Sequence, residues 1–224
     1  MKSLVAKLPV FRWHERSIYG SRVDKLVPAI VEIAGSAGSM LDIGCGDGSL
    51  ARSVAEGVGA TDLHGVDVKL RPKCVIDVKA YDGVKLPFED ARFDLVTIND
   101  VLHHAGDPEA VVREALRVLK PTGQLVIKDH FRLGPWSNAV LLAMDVVGNY
   151  APGVLVRGHY LSPPEWVELV SRAGGSVERL IWPLVVHALP WRLVARGEYQ
   201  FLMRVRRSGA TEGALRGPSR EVAR

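Results

Sequence analysis

Three glycines at alternate positions, Gly44, Gly46 and Gly48, are the residues in this 224-residue chain whose spacing first suggests chemistry. A short apolar run precedes them and an apolar-rich segment follows, which is typical of a strand, a tight turn and a helix. Because glycine has no Cβ, such a turn lets a ligand approach bare backbone at the carboxyl end of the strand. The stretch Met40–Leu50 therefore predicts a ligand site.

The glycine turn does not fit a dinucleotide. Dinucleotide-binding turns follow the pattern Gly-x-Gly-x-x-Gly, whereas Ser49 stands here where the third glycine belongs. That third glycine supports close packing of helix and strand around a pyrophosphate. The stretch Met40–Leu50 also contains no Lys or Arg that would meet a phosphate group. These features count against NAD and favour a ligand without phosphate.

Five blocks follow the turn in order along the chain. They are Asp67 at the end of the second predicted strand, Asp82 ahead of Leu86-Pro87-Phe88, Phe93-Asp94-Leu95-Val96, Val101-Leu102-His103-His104, and the run from Leu116 to Leu125. Together with Leu41–Gly48 they resemble the class I S-adenosylmethionine-dependent methyltransferases, in the branch that acts on small molecules. The resemblance covers about residues 17–130.

The resemblance implies that the cofactor is S-adenosylmethionine. Asp67, at a strand end, can accept hydrogen bonds from the two vicinal ribose hydroxyls of this cofactor. Asp82 can accept a hydrogen bond from the adenine amino group. A simple turn-forming role for these two carboxylates and for Asn99 stays open. No metal ion is expected. The residues expected to contact the cofactor are Tyr19, Asp42, Gly44, Cys45, Gly46, Asp67, Val68, Asp82, Gly83, Asn99 and His104.

Methyl transfer from a sulfonium is an in-line displacement, so the first task of the enzyme is to align the acceptor atom with the methyl group. A base is needed only where the acceptor must lose a proton. His130 directly follows the fifth predicted strand and is the first candidate base, because imidazole titrates near neutral pH. A loop histidine bonded to backbone is the alternative. The expected catalytic residues are His130, His104 and Tyr160, with His103, His159 and Asp129 as further candidate bases.

Strands that alternate with helices predict an α/β fold with βαβ units. We expect a Rossmann-like, doubly wound, mostly parallel sheet with an antiparallel C-terminal edge strand and a helical insert after the fifth strand. Residues 1–207 are expected to form a single methyltransferase domain with an insert, or lid, at about 131–162, and residues 208–224 a disordered tail. A third, weaker strand is predicted at Cys74–Val78, and Val177–Val186 and Glu198–Arg207 are predicted to form an antiparallel pair at the end of the sheet.

The insert is rich in apolar and aromatic residues, which predicts a small apolar or aromatic acceptor methylated at oxygen or carbon. Nucleic acid is not an expected partner: residues 1–203 carry 23 basic and 23 acidic side chains, and the net charge of +4 arises between Arg204 and Arg224. Two alternatives remain open. One is a cofactor-binding partner or regulatory subunit that has lost catalysis, and the other is a methyltransferase acting on protein or RNA.

The sequence also bears on location. There is no uncharged apolar run of 18 residues and no visible secretory signal, so we expect no membrane span. The two cysteines, Cys45 and Cys74, provide no disulfide framework and fit a reducing cytoplasm. We expect a cytoplasmic monomer or homodimer.

Overall fold

The computed structural model describes residues 20–150, 158–186 and 196–209. Seven strands of this part of the chain form one sheet. The strands are β1 Ser39–Ile43, β2 Asp62–Asp67, β3 Val78–Ala80, β4 Phe93–Asn99, β5 Leu119–His130, β6 Gly175–Ile181 and β7 Gln200–Arg207. Their order across the sheet is β3-β2-β1-β4-β5-β7-β6.

Helices cover both faces of this sheet, which makes the fold doubly wound. Apolar side chains of the first two helices pack on one face, and those of the third and fifth helices pack on the other. The helices are α1 Gly20–Ala34, α2 Ser49–Val58, α3 Pro108–Val118, α4 Pro135–Tyr150 and α5 Pro163–Arg172, and Leu102–His104 and Gly197–Tyr199 form short 3₁₀ turns.

Local sequence explains where these helices begin. The Asp107 carboxylate accepts a hydrogen bond from the backbone N–H of Ala110 at 2.9 Å, and Pro108 occupies the first turn of α3, where a missing N–H costs nothing. Helix α5 begins with a capping box in which Glu165 accepts from the backbone N–H of Ser162 at 2.6 Å. These caps fix the first residues of α3 and α5.

The predicted sheet is confirmed. Strand β1 pairs in parallel with β2 and β4, β2 with β3, and β4 with β5. The antiparallel pair expected at the C-terminal end of the sheet is also present: β7 runs antiparallel to both β5 and β6, and β6 forms the edge. The ends of β1, β2, β4 and β5 therefore open onto the same side of the molecule.

The third strand differs from its prediction at Cys74–Val78, because its pairing with β2 begins only at Val78. The preceding segment crosses the glycine turn. The N–H of Val75 donates to the carbonyl of Asp47 at 2.8 Å, and the Ile76 side chain lies against Gly48. Tertiary contact with the turn therefore replaces strand pairing here.

Two further boundaries differ. Strand β5 starts at Leu119 and not at Gln124, because a register shift opposite Phe93 and Leu95 lets the Pro-Thr-Gly segment stay within the strand. Strand β6 ends at Ile181, earlier than the predicted Val186, since Pro183 has no N–H to continue the ladder.

Some expectations fall on other parts of the chain. Tyr19, the 151–157 segment of the predicted lid and residues 210–224 of the predicted tail lie outside the described residues. Ser208 and Gly209 form a turn in which Ser208 N–H donates to the carbonyl of Gly174 at 2.8 Å. Among the described helices, none combines the length and the apolar character needed to cross a membrane.

Candidate functional site

The glycine turn leaves open space at only one of its three glycines. All three have a positive φ, with values of 72°, 61° and 81°. A Cβ on Gly44 would lie 2.3 Å from the Val101 side chain, and one on Gly48 would lie 2.4 Å from Ile76. A Cβ on Gly46 would meet no atom within 4 Å. Gly44 and Gly48 thus serve packing, and Gly46 exposes backbone to a ligand.

Asp67, at the end of β2, is bonded to this turn. Its Oδ2 accepts from the N–H of Gly46 at 2.8 Å, and its Oδ1 accepts from the N–H of Lys69 at 2.9 Å. A carboxylate oxygen can accept more than one hydrogen bond. Asp67 is therefore a turn former, as the simpler interpretation required, and it retains acceptor capacity for ligand hydroxyls.

Asp42, Thr97 and Asn99 form a buried polar group beside the turn. Asp42 is 2% exposed, and its Oδ1 accepts from Thr97 Oγ1 at 2.6 Å and from Asn99 Nδ2 at 3.2 Å. Burial is the main reason that the pKa of Asp42 rises to about 7, against the opposing effect of these hydrogen bonds. Asn99 Oδ1 is buried and has no partner within the described part of the chain. A carboxyl group and an unpaired amide oxygen suit an amino group.

Val68 and Gly83 lie close together, and Asp82 directly precedes Gly83. Val68 is 65% exposed, and a Cβ on Gly83 would lie 3.4 Å from its side chain. Asp82 Oδ1 accepts from the N–H groups of Val84 and Lys85 at 2.8 and 2.9 Å, and these bonds lower the pKa of Asp82. An apolar surface next to an exposed carboxylate matches the expected adenine contact.

Cys45 packs beneath the turn. Its thiol is buried, and a Cβ on Gly65 would lie 2.5 Å from its Sγ. Burial, together with the nearby charge of Asp42, raises the pKa of the thiol. The side chain is therefore a small packing residue and not a nucleophile, while its place among the cofactor contacts stays a prediction.

His103 and Asp129 form a buried pair across the ends of β4 and β5. His103 Nδ1 lies 2.7 Å from Asp129 Oδ1, and the two residues are 4% and 0% exposed. Burial opposes ionisation of Asp129, but the His103 imidazole and the hydrogen bonds around it hold the pKa of this carboxyl well below its usual range. A carboxylate at Nδ1 selects the tautomer whose Nε2 carries the lone pair. The pair has the geometry of an oriented general base.

His130 is a poorer base than the sequence indicated. Burial, followed by the charge of Lys128, lowers its pKa to about 3, so the imidazole is neutral and weakly basic at neutral pH. Its Nδ1 lies 3.4 Å from Asp100 Oδ1 and 3.5 Å from Asp129 Oδ1. The leading candidate base therefore moves from His130 to His103.

Two charged residues that sequence reasoning missed support the turn after β4. Lys128 is fully buried, and its Nζ donates to Asp100 Oδ1 at 2.6 Å. Asp100 has a φ of 56°, which is uncommon for a residue with a side chain, and its N–H donates to the Lys128 carbonyl. This ion pair positions Asn99 and Val101. A lysine that directly follows the apolar run of residues 125–127 was the available signal.

Tyr160 and His104 cover the His103–Asp129 pair. The Tyr160 ring stacks on His103 with a centroid distance of 5.0 Å, and its hydroxyl donates to the Leu141 carbonyl at 3.3 Å. The His104 ring lies 4.1 Å from that of His103. The expected catalytic histidines and Tyr160 are thus brought together, with His159 exposed at the rim. Catalytic roles for Tyr160 and His104 stay predictions.

Similar proteins point to one enzyme family. A family model described as a methyltransferase domain matches residues 41–127. The ubiquinone biosynthesis O-methyltransferase of Thiobacillus denitrificans is 31% identical over 188 residues, which cover 75% of this chain and 78% of that protein. The protein of the same name from Xanthomonas oryzae pv. oryzae is 32% identical over 190 residues, covering 76% of this chain and 74% of the relative.

A solved methyltransferase structure has the same fold. The S-adenosylmethionine-dependent methyltransferase of Mesorhizobium loti superposes with a TM-score of 0.61 at 18% identity, and the match covers 84% of this chain and 99% of that structure. The open backbone at Gly46 and the unpaired Asn99 Oδ1 fit a ligand that carries an amino group and no phosphate. The chain therefore belongs to the class I S-adenosylmethionine-dependent methyltransferases, enzymes whose cofactor is S-adenosylmethionine.

Proposed function

We propose that this enzyme methylates a hydroxyl oxygen of a small aromatic or apolar molecule. The observation that carries the proposal is the His103–Asp129 pair, which lies at the carboxyl ends of β4 and β5. Strand β4 and its neighbour β1 also hold the buried polar residues Asp42, Thr97 and Asn99. An oriented base is useful where the acceptor must lose a proton, as a phenol does. The relatives named ubiquinone biosynthesis O-methyltransferases support transfer to oxygen.

On this proposal the residues of the chain bind the cofactor, orient the acceptor and remove a proton from it. Bound S-adenosylmethionine supplies the electrophilic methyl group, whose C–S bond breaks as the O–CH₃ bond forms, leaving S-adenosylhomocysteine. Asp67 and the Gly46 backbone hold the cofactor at its ribose and methionine parts, and Asp42 with Asn99 receives its amino group. His103 Nε2 takes the hydroxyl proton, and Asp129 stabilises the resulting imidazolium. Base catalysis of this kind contributes about 10²–10⁴ in rate.

The helical insert supplies the apolar part of the acceptor site in this proposal. Leu141 is buried against Tyr160 and Tyr199, with Val140 and Leu142 packed around them. Tyr160 also stacks on His103, so the insert limits access of water to the base. An aromatic acceptor would find apolar surface next to the base. We therefore propose that the insert is the lid of a single domain. The cytoplasmic location stays a prediction.

The direct test is formation of S-adenosylhomocysteine by the full-length enzyme with S-adenosylmethionine and simple aromatic probes. We expect turnover with catechol or hydroquinone and none with 1,2-dimethoxybenzene, which lacks a hydroxyl. Aniline and indole test nitrogen and carbon acceptors. Turnover restricted to aniline or indole would contradict O-methylation, and cofactor binding without turnover on a wide hydroxyl panel would favour the catalytically inactive partner.

Asp42 should couple cofactor binding to proton release. The free carboxyl has a pKa of about 7, and the ammonium group of S-adenosylhomocysteine favours its ionised form. Affinity should therefore rise as pH increases towards 7, by at most about tenfold per unit, and level off above it. Calorimetry in buffers of different ionisation enthalpy measures the proton. In Asp42→Asn the release should disappear; a release that persists there would assign the proton to another group.

A further inference from the structure

The cluster of His103, Asp129 and His130 has the donor set of a metal centre. We propose that these three side chains bind a divalent transition-metal ion that inhibits methyl transfer. Two imidazole nitrogens and one carboxylate oxygen lie within 4.8 Å of one another, a spacing that a single ion can bridge. His103 Nδ1 is 2.7 Å and His130 Nδ1 is 3.5 Å from Asp129 Oδ1.

Two buried atoms of the cluster make no hydrogen bond, which is an independent reason to expect an ion there. Asp129 is 0% exposed, yet its Oδ2 has no hydrogen-bond partner in the described ranges. His130 Nδ1 is also buried, and it lies 3.4 Å from Asp100 Oδ1 and 3.5 Å from Asp129 Oδ1 without forming a hydrogen bond to either. Buried polar atoms are almost always satisfied, and a carboxylate oxygen without a donor is among the costliest exceptions. A cation between the three side chains would satisfy both atoms at once.

The kind of ion follows from the donor atoms and the charge. Imidazole nitrogens suit Zn²⁺, Co²⁺ or Ni²⁺, whereas Mg²⁺ and Ca²⁺ prefer sites made of oxygen. Asp100 Oδ1 lies 3.4 Å from His130 Nδ1, but its charge is matched by Lys128. The low pKa of the Asp129 carboxyl keeps a negative charge in the cluster, which favours a cation there. Three protein ligands leave further coordination positions open.

The inhibitory effect follows from proton positions in one imidazole ring, and it rests on the proposed function. As a base, His103 holds its proton on Nδ1 towards Asp129 and accepts at Nε2. An ion on Nδ1 displaces that proton, and the ring then remains neutral only with its proton on Nε2. A ring protonated at Nε2 cannot accept the acceptor's proton. Metal binding and base catalysis are therefore mutually exclusive at His103.

Metal binding can be tested without any acceptor. Chelator-treated full-length protein is titrated with ZnCl₂ by calorimetry, and CoCl₂ is added separately to observe visible d–d absorption. We expect one ion per chain, and at least a tenfold loss of affinity in Asp129→Asn and in His130→Gln. The matched control is His64→Gln, because His64 also lies between two carboxylates, Asp62 and Asp77, but belongs to β2, which contributes no residue to this cluster.

The variants also distinguish loss of the metal site from loss of the fold. Circular dichroism and thermal unfolding check that each variant is folded; if Asp129→Asn is not, His130→Gln decides, since it removes one ligand and leaves the His103–Asp129 pair. Absence of one-to-one binding, or binding lost only in His64→Gln, overturns the metal site. Affinity that is unchanged in folded His130→Gln also overturns it.

Activity with hydroquinone, which does not chelate the ion, tests the inhibitory effect. Stoichiometric Zn²⁺ should abolish turnover, EDTA should restore it, and S-adenosylhomocysteine affinity should not change. Binding at the cluster without inhibition would retain the site but overturn both the inhibition and His103 as base. No binding, together with loss of turnover in Asp129→Asn, would overturn the metal site and leave the proposed function intact.

Discussion

Replacement of Asp67 by Asn should weaken S-adenosylhomocysteine binding by about 100-fold or more. Asp67 holds the N–H of Gly46 at 2.8 Å and, on our proposal, accepts from the cofactor ribose. Hydrogen bonds to a charged group are worth about 1.5–3 kcal/mol each. Loss of the bonds from the two ribose hydroxyls therefore corresponds to about two powers of ten in affinity or more. Calorimetry on the folded variant measures the loss.

Asp62→Asn is the matched control for this experiment. Asp62 lies at the opposite end of the same strand, where its carboxylate pairs with Arg92 and His64 at 2.8 and 2.9 Å. Such partly exposed ion pairs contribute little to stability, so the control should bind S-adenosylhomocysteine as the unmodified protein does. Normal binding by folded Asp67→Asn would mean that Asp67 only forms the turn, which was the simpler interpretation of its position.

Replacement of Asp129 by Asn should reduce kcat by about 10²–10⁴ and leave S-adenosylhomocysteine affinity nearly unchanged. An amide in this place can donate to His103 Nδ1, which puts the ring proton on Nε2 and removes the base. The wild-type contact is 2.7 Å long and fully buried, so no water replaces it. Steady-state kinetics with hydroquinone, together with calorimetry for the cofactor, distinguish lost chemistry from lost binding.

His130→Gln and His159→Ala are the comparison variants. His130 is neutral, with a pKa of about 3, and His159 is exposed, so neither change should reduce kcat by more than about tenfold. A thousandfold loss in His130→Gln with normal kinetics in Asp129→Asn would return the base to His130. If Asp129→Asn retains full kcat with hydroquinone, the acceptor oxygen is not deprotonated by this pair.

The sheet was predictable because its signals are local. An apolar run before a glycine turn, and further apolar runs separated by helical periodicity, are sufficient for a doubly wound parallel sheet. The third strand was misplaced because Ile76 packs over Gly48, a contact between segments that only the folded chain brings together. The predicted start of β5 was wrong for a related reason, since pairing with β4 decides where that strand begins. The predicted end of β6 was wrong for a local reason, because Pro183 cannot continue the ladder.

The two halves of the candidate site differ in the same way. Asp42, Gly46 and Asp67 lie at strand ends or in a turn, so their positions follow from the local pattern. The base does not: the sequence favoured His130 over His103 and His104 because it directly follows a strand, and the structure separates the three through burial and neighbours. Thr97 and Lys128 were not singled out at all, because their role depends on partners in other strands.

The sequence alone determined the fold class, the glycine turn and the methyl donor, because these depend on residues close together in the chain and on a family pattern that the relatives confirm. Only the tertiary structure decided that His103 pairs with Asp129, 26 residues away, and that His130 is kept neutral beside Lys128. The physical reason is desolvation. A carboxylate or an imidazole acquires its basicity from burial and from the charges and hydrogen bonds packed around it, and for the His103–Asp129 pair these come from segments 26 residues apart.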